Sequence, residues 1–225
     1  MERRALIAAL GSLSTIVLAP PAQALGESDA ALGVRAALER GALAAVAALG
    51  QPGGFLDHPQ LRIPLPGALE KAAKLLKATG QGRKVDALVA AMNHAAEAAM
   101  PAARDVFVQA VRRLSVEDAL QLVRGGADDA VTRFFEGKTR ASLGERFLPI
   151  VSRATQKEQL AEKYNAVAAK AAGLGLLKEE DASIERYVTR KALDGLYWRV
   201  GEEEKKIRQD PLGTGSALLK KVFGR

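Results

Sequence analysis

"SIERYVTRKALDGLYWRVGEEEKKIRQ", residues 183–209, decides how this chain is read. At helical spacing Ile184, Tyr187, Val188, Leu193, Leu196, Tyr197, Trp198 and Val200 surround the axis instead of forming one stripe. A helix that is apolar on all sides belongs in the middle of a bundle. Its end is different. In "GEEEKKIRQDP" Glu202 is set to pair with Lys206, and Glu204 with Arg208, both four residues apart with the glutamate first. Glu203 is the exception, because it shares a face with Leu196, Val200 and Ile207. It is expected to be partly buried, with Arg199 one turn earlier as its partner. Consecutive carboxylates on a helix point about 100° apart, so these three cannot share one metal ion. Asp210-Pro211 stops the helix.

A central helix needs a surrounding layer, and the composition supplies one. Hydrophobic residues make up 48% of the 225 and aromatics only 4%, so the core is mostly Ala, Leu and Val. Ala and Leu lose little on entering a helix. No sustained alternation of period two appears. Asp29 to Leu49 reads as one helix, with Leu32, Ala36, Leu43 and Val46 between charged residues. Gly33 and Gly41 weaken it or allow a close helix contact. Pro66 is placed as a first-turn proline for a helix that ends near Thr79. Val85 to Met100 puts Val85, Leu88, Val89, Met92, Ala96 and Ala99 on one face, and Pro101 kinks or restarts it. Ser115 with Asp118 marks another start, and Asp128 is a candidate cap for a long run carrying Phe134, Phe135, Leu143, Phe147 and Ile150. Residues 156–172 make a further helix around Tyr164. The expectation is all-α: a single compact multi-helix bundle of seven or eight helices over residues 25–225, with no internal repeat and no long linker.

One stretch resists this pattern. "FLDHPQLRIPLP", residues 55–66, has three prolines and a histidine yet keeps Phe55, Leu56, Leu61, Ile63 and Leu65. A solvated loop has no need of five large apolar groups. It is expected to be a buried connector, with Phe55, Leu61, Ile63 and Leu65 on the bundle and Pro64 and Pro66 holding the backbone extended.

The first 24 residues read as an address. Arg3 and Arg4 precede an apolar run from Ala5 to Ala19, followed by Ala22-Gln23-Ala24. That is the layout of a secretory signal cleaved after Ala24. The run of about 15 residues is short of the roughly 20 that span a bilayer. The chain has no Cys, which excludes disulfides, thiolate catalysis and a lipid anchor on cysteine. Export without disulfides points to a bacterial periplasm. The formal charge is +7, and without Glu2, Arg3 and Arg4 there are 31 basic against 25 acidic residues, or +6. The bases are interleaved with acids and no aromatic platform accompanies them, which argues against nucleic acid as a partner. The tail Ser216–Arg225 has Leu218, Leu219, Val222 and Phe223 among Lys220, Lys221 and Arg225. It is expected to dock on the bundle, with an anionic membrane surface as the other possible contact.

Candidate chemistry is sparse. His94 falls opposite the apolar stripe of its helix and reads as a surface residue. His58 follows Asp57, but adjacent residues rarely face each other, and no paired-histidine spacing for a metal exists. No catalytic residue, metal site or cofactor is assigned. Asp86, Asn93 and Glu97 border the apolar stripe of 85–100, and Arg104 extends that line if the helix runs through Pro101. With Arg199 and Glu203 these are the candidate ligand-binding residues, against the ordinary alternative of hydrogen bonding between helices. Asp86 and Glu97 lie about 16 Å apart at 1.5 Å per residue, too far to act as an acid–base pair within one helix.

The stretches "GGFLDHPQLRIPLPGAL", "MNHAAEAAMPAARDVFVQAV", "DDAVTRFF" followed by "KT", and "VTRKALDGLYWRVGEEEKKIRQDPLGTGSALLKKVFG" together resemble a bacterial exported-protein family catalogued as domain of unknown function 4197. The resemblance runs from about Ala31 to Gly224. It implies an all-helical fold and export, and no reaction. Members are often lipoproteins, which this cysteine-free chain departs from. His94 stands where the family pattern usually has Arg, which weighs against a catalytic imidazole. Three functions follow in order: a non-enzymatic, partner-binding or structural protein of the periplasm; a carrier of a small apolar or anionic ligand between helices; and a carboxylate-dependent hydrolase.

Overall fold

The computed structural model describes residues 27–124, 129–156, 159–173, 175 and 181–210. The expected leader, the Asp128 cap and the tail from Ser216 lie outside the described residues. Eight α-helices are described: α1 (Glu27–Leu49), α2 (Gly67–Ala78), α3 (Gly82–Ala99), α4 (Ala103–Arg112), α5 (Val116–Arg124), α6 (Ala130–Thr155), α7 (Gln159–Gly173) and α8 (Ile184–Gln209). A 3-10 turn, Met100–Ala102, joins α3 to α4. No strand occurs among the described residues, so the all-α reading holds.

The middle of the bundle is α8. It packs against α1, α3, α6 and α7, while α6 also packs on α3 and α4, and α1 on α4 and α5. Ile184, Tyr187, Val188, Leu193, Leu196, Tyr197 and Val200 are all buried, as an all-round apolar helix requires. Trp198 is the correction: it is 39% exposed and sets its ring edge-on to His58, with centroids 5.5 Å apart.

α1 also departs from expectation. Leu32 is 58% exposed and Ala36 is exposed. Val46 is buried as expected, and with it Ala31, Val34, Ala37, Leu38, Ala42, Ala45 and Leu49, half of the eight being alanine. Small side chains bring α1 and α8 close: a Cβ on Gly41 would lie 3.3 Å from Cδ1 of Ile207.

Helix ends follow local chemistry. Ser115 Oγ accepts from the Asp118 N–H at 2.9 Å, and Asp118 accepts from the Ser115 N–H at 3.2 Å, the expected reciprocal cap. Ser183 caps α8 by accepting from the Arg186 N–H. Pro66 is the cap residue of α2, one position earlier than expected. Pro149 lies inside α6, and the helix continues to Thr155.

Residues 55–66 form a connector anchored on the bundle by its apolar side chains, with polar residues between them exposed. Phe55, Leu61 and Ile63 are buried and Leu65 packs partly against the core. The seat for Phe55 is made by an absence, since a Cβ on Gly195 of α8 would lie 2.7 Å from Cε1 of the Phe55 ring. Tyr187 of α8 donates its hydroxyl to the Pro64 carbonyl at 3.1 Å. Burial pushes the Tyr187 pKa up to about 12, so that hydroxyl stays a donor.

Candidate functional site

The border of α3 was the first candidate. Asn93 and Glu97 are buried and face the connector. Asn93 Oδ1 accepts from the Ile63 N–H at 2.8 Å, and its Nδ2 donates to the Ile63 carbonyl at 3.0 Å and the Val89 carbonyl at 2.8 Å. Glu97 Oε1 accepts from the N–H groups of Phe55 and Leu56 at 3.0 and 3.1 Å. Its other oxygen meets Nδ1 of the exposed His94 at 3.0 Å. Burial raises the Glu97 pKa, but the His94 hydrogen bond and the two backbone N–H groups outweigh it and hold the carboxyl below its ordinary value. Both side chains are thus occupied by backbone that has no helix to satisfy it.

The other members of that line are elsewhere. Asp86 is exposed and pairs with Lys77 at 2.9 Å. Arg104 is exposed because the 3-10 turn at Met100–Ala102 breaks the register that would have extended the line. Asp57 and His58 do not pair, and the buried Nδ1 of His58 makes no hydrogen bond.

At the end of α8 the expected pair forms: Arg199 meets Glu203 at 2.9 Å. Lys206 also reaches Glu203 at 2.9 Å, in place of the expected Glu202. Glu203 is partly buried, as expected, and the fully buried acid is its neighbour Glu204. It accepts from the N–H groups of Val131 and Thr132 at 3.2 and 3.0 Å and from the Thr132 hydroxyl at 2.9 Å, with Arg208 at 2.9 Å as counterion. These N–H groups belong to the first turn of α6, where Asp129 makes no side-chain cap bond. A carboxylate from a different helix therefore caps α6.

A concave site elsewhere in the bundle has charged groups with no such internal task. A cleft of about 370 Å³ lies between α4 and α6 and reaches the start of α5. From α4 it takes Val106, Gln109 and Ala110, with Arg113 just past its end; from α6, Phe134, Lys138, Ser142 and Arg146 at intervals of four. Leu114 and Asp118 close it beside the start of α5. At its base Thr139 donates to the Phe135 carbonyl at 2.6 Å, which leaves its oxygen to accept from the Tyr197 hydroxyl at 2.8 Å. Burial pushes the Tyr197 pKa up to about 12. Among the described residues Arg113, Lys138 and Arg146 form no ion pair, whereas Arg133 and Arg140 of the same α6 each hold an acid one turn earlier. These residues are not among the sequence candidates, although the sequence carries a sign of them: no acid lies three or four positions from Lys138 or Arg146. The apolar and charged residues of α4 point nowhere in particular until α6 faces them. Among the described residues no group of three or more His, Asp and Glu is arranged to hold a metal ion, and no helix is long and apolar enough to cross a membrane.

The family model described as a protein of unknown function, DUF4197, matches residues 24–224. The chain belongs to the DUF4197 family. No curated protein and no solved structure matches it. Cleft, connector and capped α6 all lie inside the stretch that defines this DUF4197 protein.

Proposed function

We propose that this protein is exported to the bacterial envelope and works by binding a small ligand in the cleft between α4 and α6. One observation carries the reading: the cleft's three cations have no ion-pair partner among the described residues, while the buried polar side chains beside the connector and at the start of α6 are committed to the fold. Its volume of about 370 Å³ falls within the usual range for small-molecule sites, about 300–1,000 Å³. Export rests on the basic and apolar opening and on a family match that begins only at residue 24, beside the expected cleavage point. Docking of a partner protein is the second reading, favoured by the exposed Trp198 on an otherwise buried helix. The hydrolase reading loses its support, because Glu97 is occupied by backbone and Asp86 is at the surface.

The test is native mass spectrometry of the full chain, expressed with its leader and recovered from the periplasm. The expected mass begins at Leu25 and carries a ligand adduct. Ser142→Trp, at an exposed position lining the cleft, should fold normally and lose the adduct. An adduct that persists in Ser142→Trp sinks the assignment of the cleft, and a chain retained in the cytoplasm with residues 1–24 attached sinks export.

A further inference from the structure

We infer that the ligand of the α4–α6 cleft is an anionic amphiphile, a phosphate or carboxylate headgroup joined to an apolar chain. The inference rests on the binding reading above and adds the chemistry of what is bound. Arg113, Lys138 and Arg146 surround one small space with Asp118 as the single carboxylate among them. Asp118 stays ionised and offsets one of the three positive charges. The Ser115 hydroxyl and the Ser115 N–H hold it in the cap of α5 and keep its carboxyl below the usual range, with Lys138 adding to the effect. Three cations against one carboxylate leave the field inside the cleft positive. Like charges gathered around a concave surface repel one another, and a bound anion relieves that repulsion.

Charge alone does not describe the site. Val106, Ala110, Leu114 and Phe134 give it an apolar wall, and Val106, Leu114, Ala110 and Phe134 all belong to or pack against the core, so the wall is rigid. Inorganic phosphate uses the cations and leaves the wall wet. A neutral hydrocarbon uses the wall and leaves the cations unanswered. An organic cation is repelled. Only a ligand with both parts uses both surfaces. Guanidinium groups suit the headgroup because their N–H forks match the oxygens of carboxylate and phosphate.

Titration calorimetry of the delipidated full mature chain tests this with octyl phosphate, inorganic phosphate and octyl glucoside. Octyl phosphate should bind at least about tenfold more tightly than either of the others, and its affinity should fall as salt is raised. The double variant Lys138→Gln/Arg146→Gln should weaken octyl phosphate by about tenfold or more and leave the melting temperature unchanged. Binding to vesicles of phosphatidylglycerol but not of phosphatidylcholine, lost in the same variant, would assign the headgroup to a lipid. Binding of octyl phosphate without vesicle binding would assign it to a soluble molecule, and both outcomes support the shared chemistry. Octyl glucoside binding as well as octyl phosphate overturns the inference, as does an unchanged affinity in the double variant or no binding of octyl phosphate at millimolar concentration. Those failures leave the binding reading standing if Ser142→Trp still removes the native adduct; an adduct that survives Ser142→Trp removes both.

Discussion

The connector beside α3 and the cleft between α4 and α6 are both polar places in an apolar bundle, and they are built in opposite ways. Beside α3 every polar atom of Asn93 and Glu97 closes on the chain itself, chiefly on the N–H groups of Phe55, Leu56 and Ile63. The turns of the connector satisfy part of its backbone but not the N–H groups of Phe55, Leu56 and Ile63, and a buried N–H without a partner is costly. In the cleft the charged groups have solvent and one another. A polar residue bordering an apolar stripe is thus most informative about function when the fold has not already used it.

That contrast can be broken by measurement. The largest effect belongs to the connector. Phe55 is wholly buried in the seat left by Gly195, so Phe55→Ala should cost about 3–5 kcal/mol in urea unfolding. A loss below about 1 kcal/mol would mean that the connector is not part of the core. Asn93→Ala comes next. It strands the N–H and the carbonyl of Ile63 together, and should cost about 2–4 kcal/mol. Near-neutral behaviour there would place Ile63 in water, and the comparison between the two regions would collapse.

The helical reading was legible because the signal repeats. Residues 183–209 announce a central helix through eight apolar positions, and the Ser115–Asp118 cap is written in four adjacent residues. The connector was legible from its surplus of large apolar groups. What was not legible depends on pairs of distant elements. Leu32 looks like a core residue until the small face of α1 is seen against Ile207 of α8. Glu204 looks like a surface acid until α6 begins beside it, more than seventy residues away in the chain. The cleft shares this difficulty, since it exists only where the α4 and α6 stripes face each other. Among the candidate residues, Asn93 and Glu97 meet at the connector, Arg199 and Glu203 meet each other, and Asp86 and Arg104 join neither group.

An intermediate effect is expected from acid. The folded Glu97 carboxyl lies below its ordinary value of 4.5, so its stabilisation is complete above that value and is lost as pH falls through the lower, folded one. Glu97→Gln should cost about 1–3 kcal/mol at neutral pH, because the amide accepts from the backbone less strongly than a charged group. It should also flatten the acid limb of the stability curve. The limb will not vanish, since Asp118 is depressed for the same kind of reason and titrates in the same direction. Parallel acid limbs in wild type and Glu97→Gln would mean that Glu97 does not carry this dependence.

The smallest stability effect is expected where the functional effect is largest. Lys138 and Arg146 are exposed and form no ion pair among the described residues. Replacing both by glutamine should change unfolding free energy by no more than about 0.5 kcal/mol, the usual limit for surface positions without special contacts. The sign should favour the variant slightly, because two like charges leave a cleft that Arg113 still lines. Salt provides the sharper reading. At about 0.1 M the screening length is about 10 Å, enough to mute repulsion across so small a space. Wild type should therefore gain stability relative to the double variant as salt rises from low concentration. A double variant that is instead strongly destabilised would show that the fold uses these two cations as it uses Glu97, and the cleft would lose its distinction from the connector.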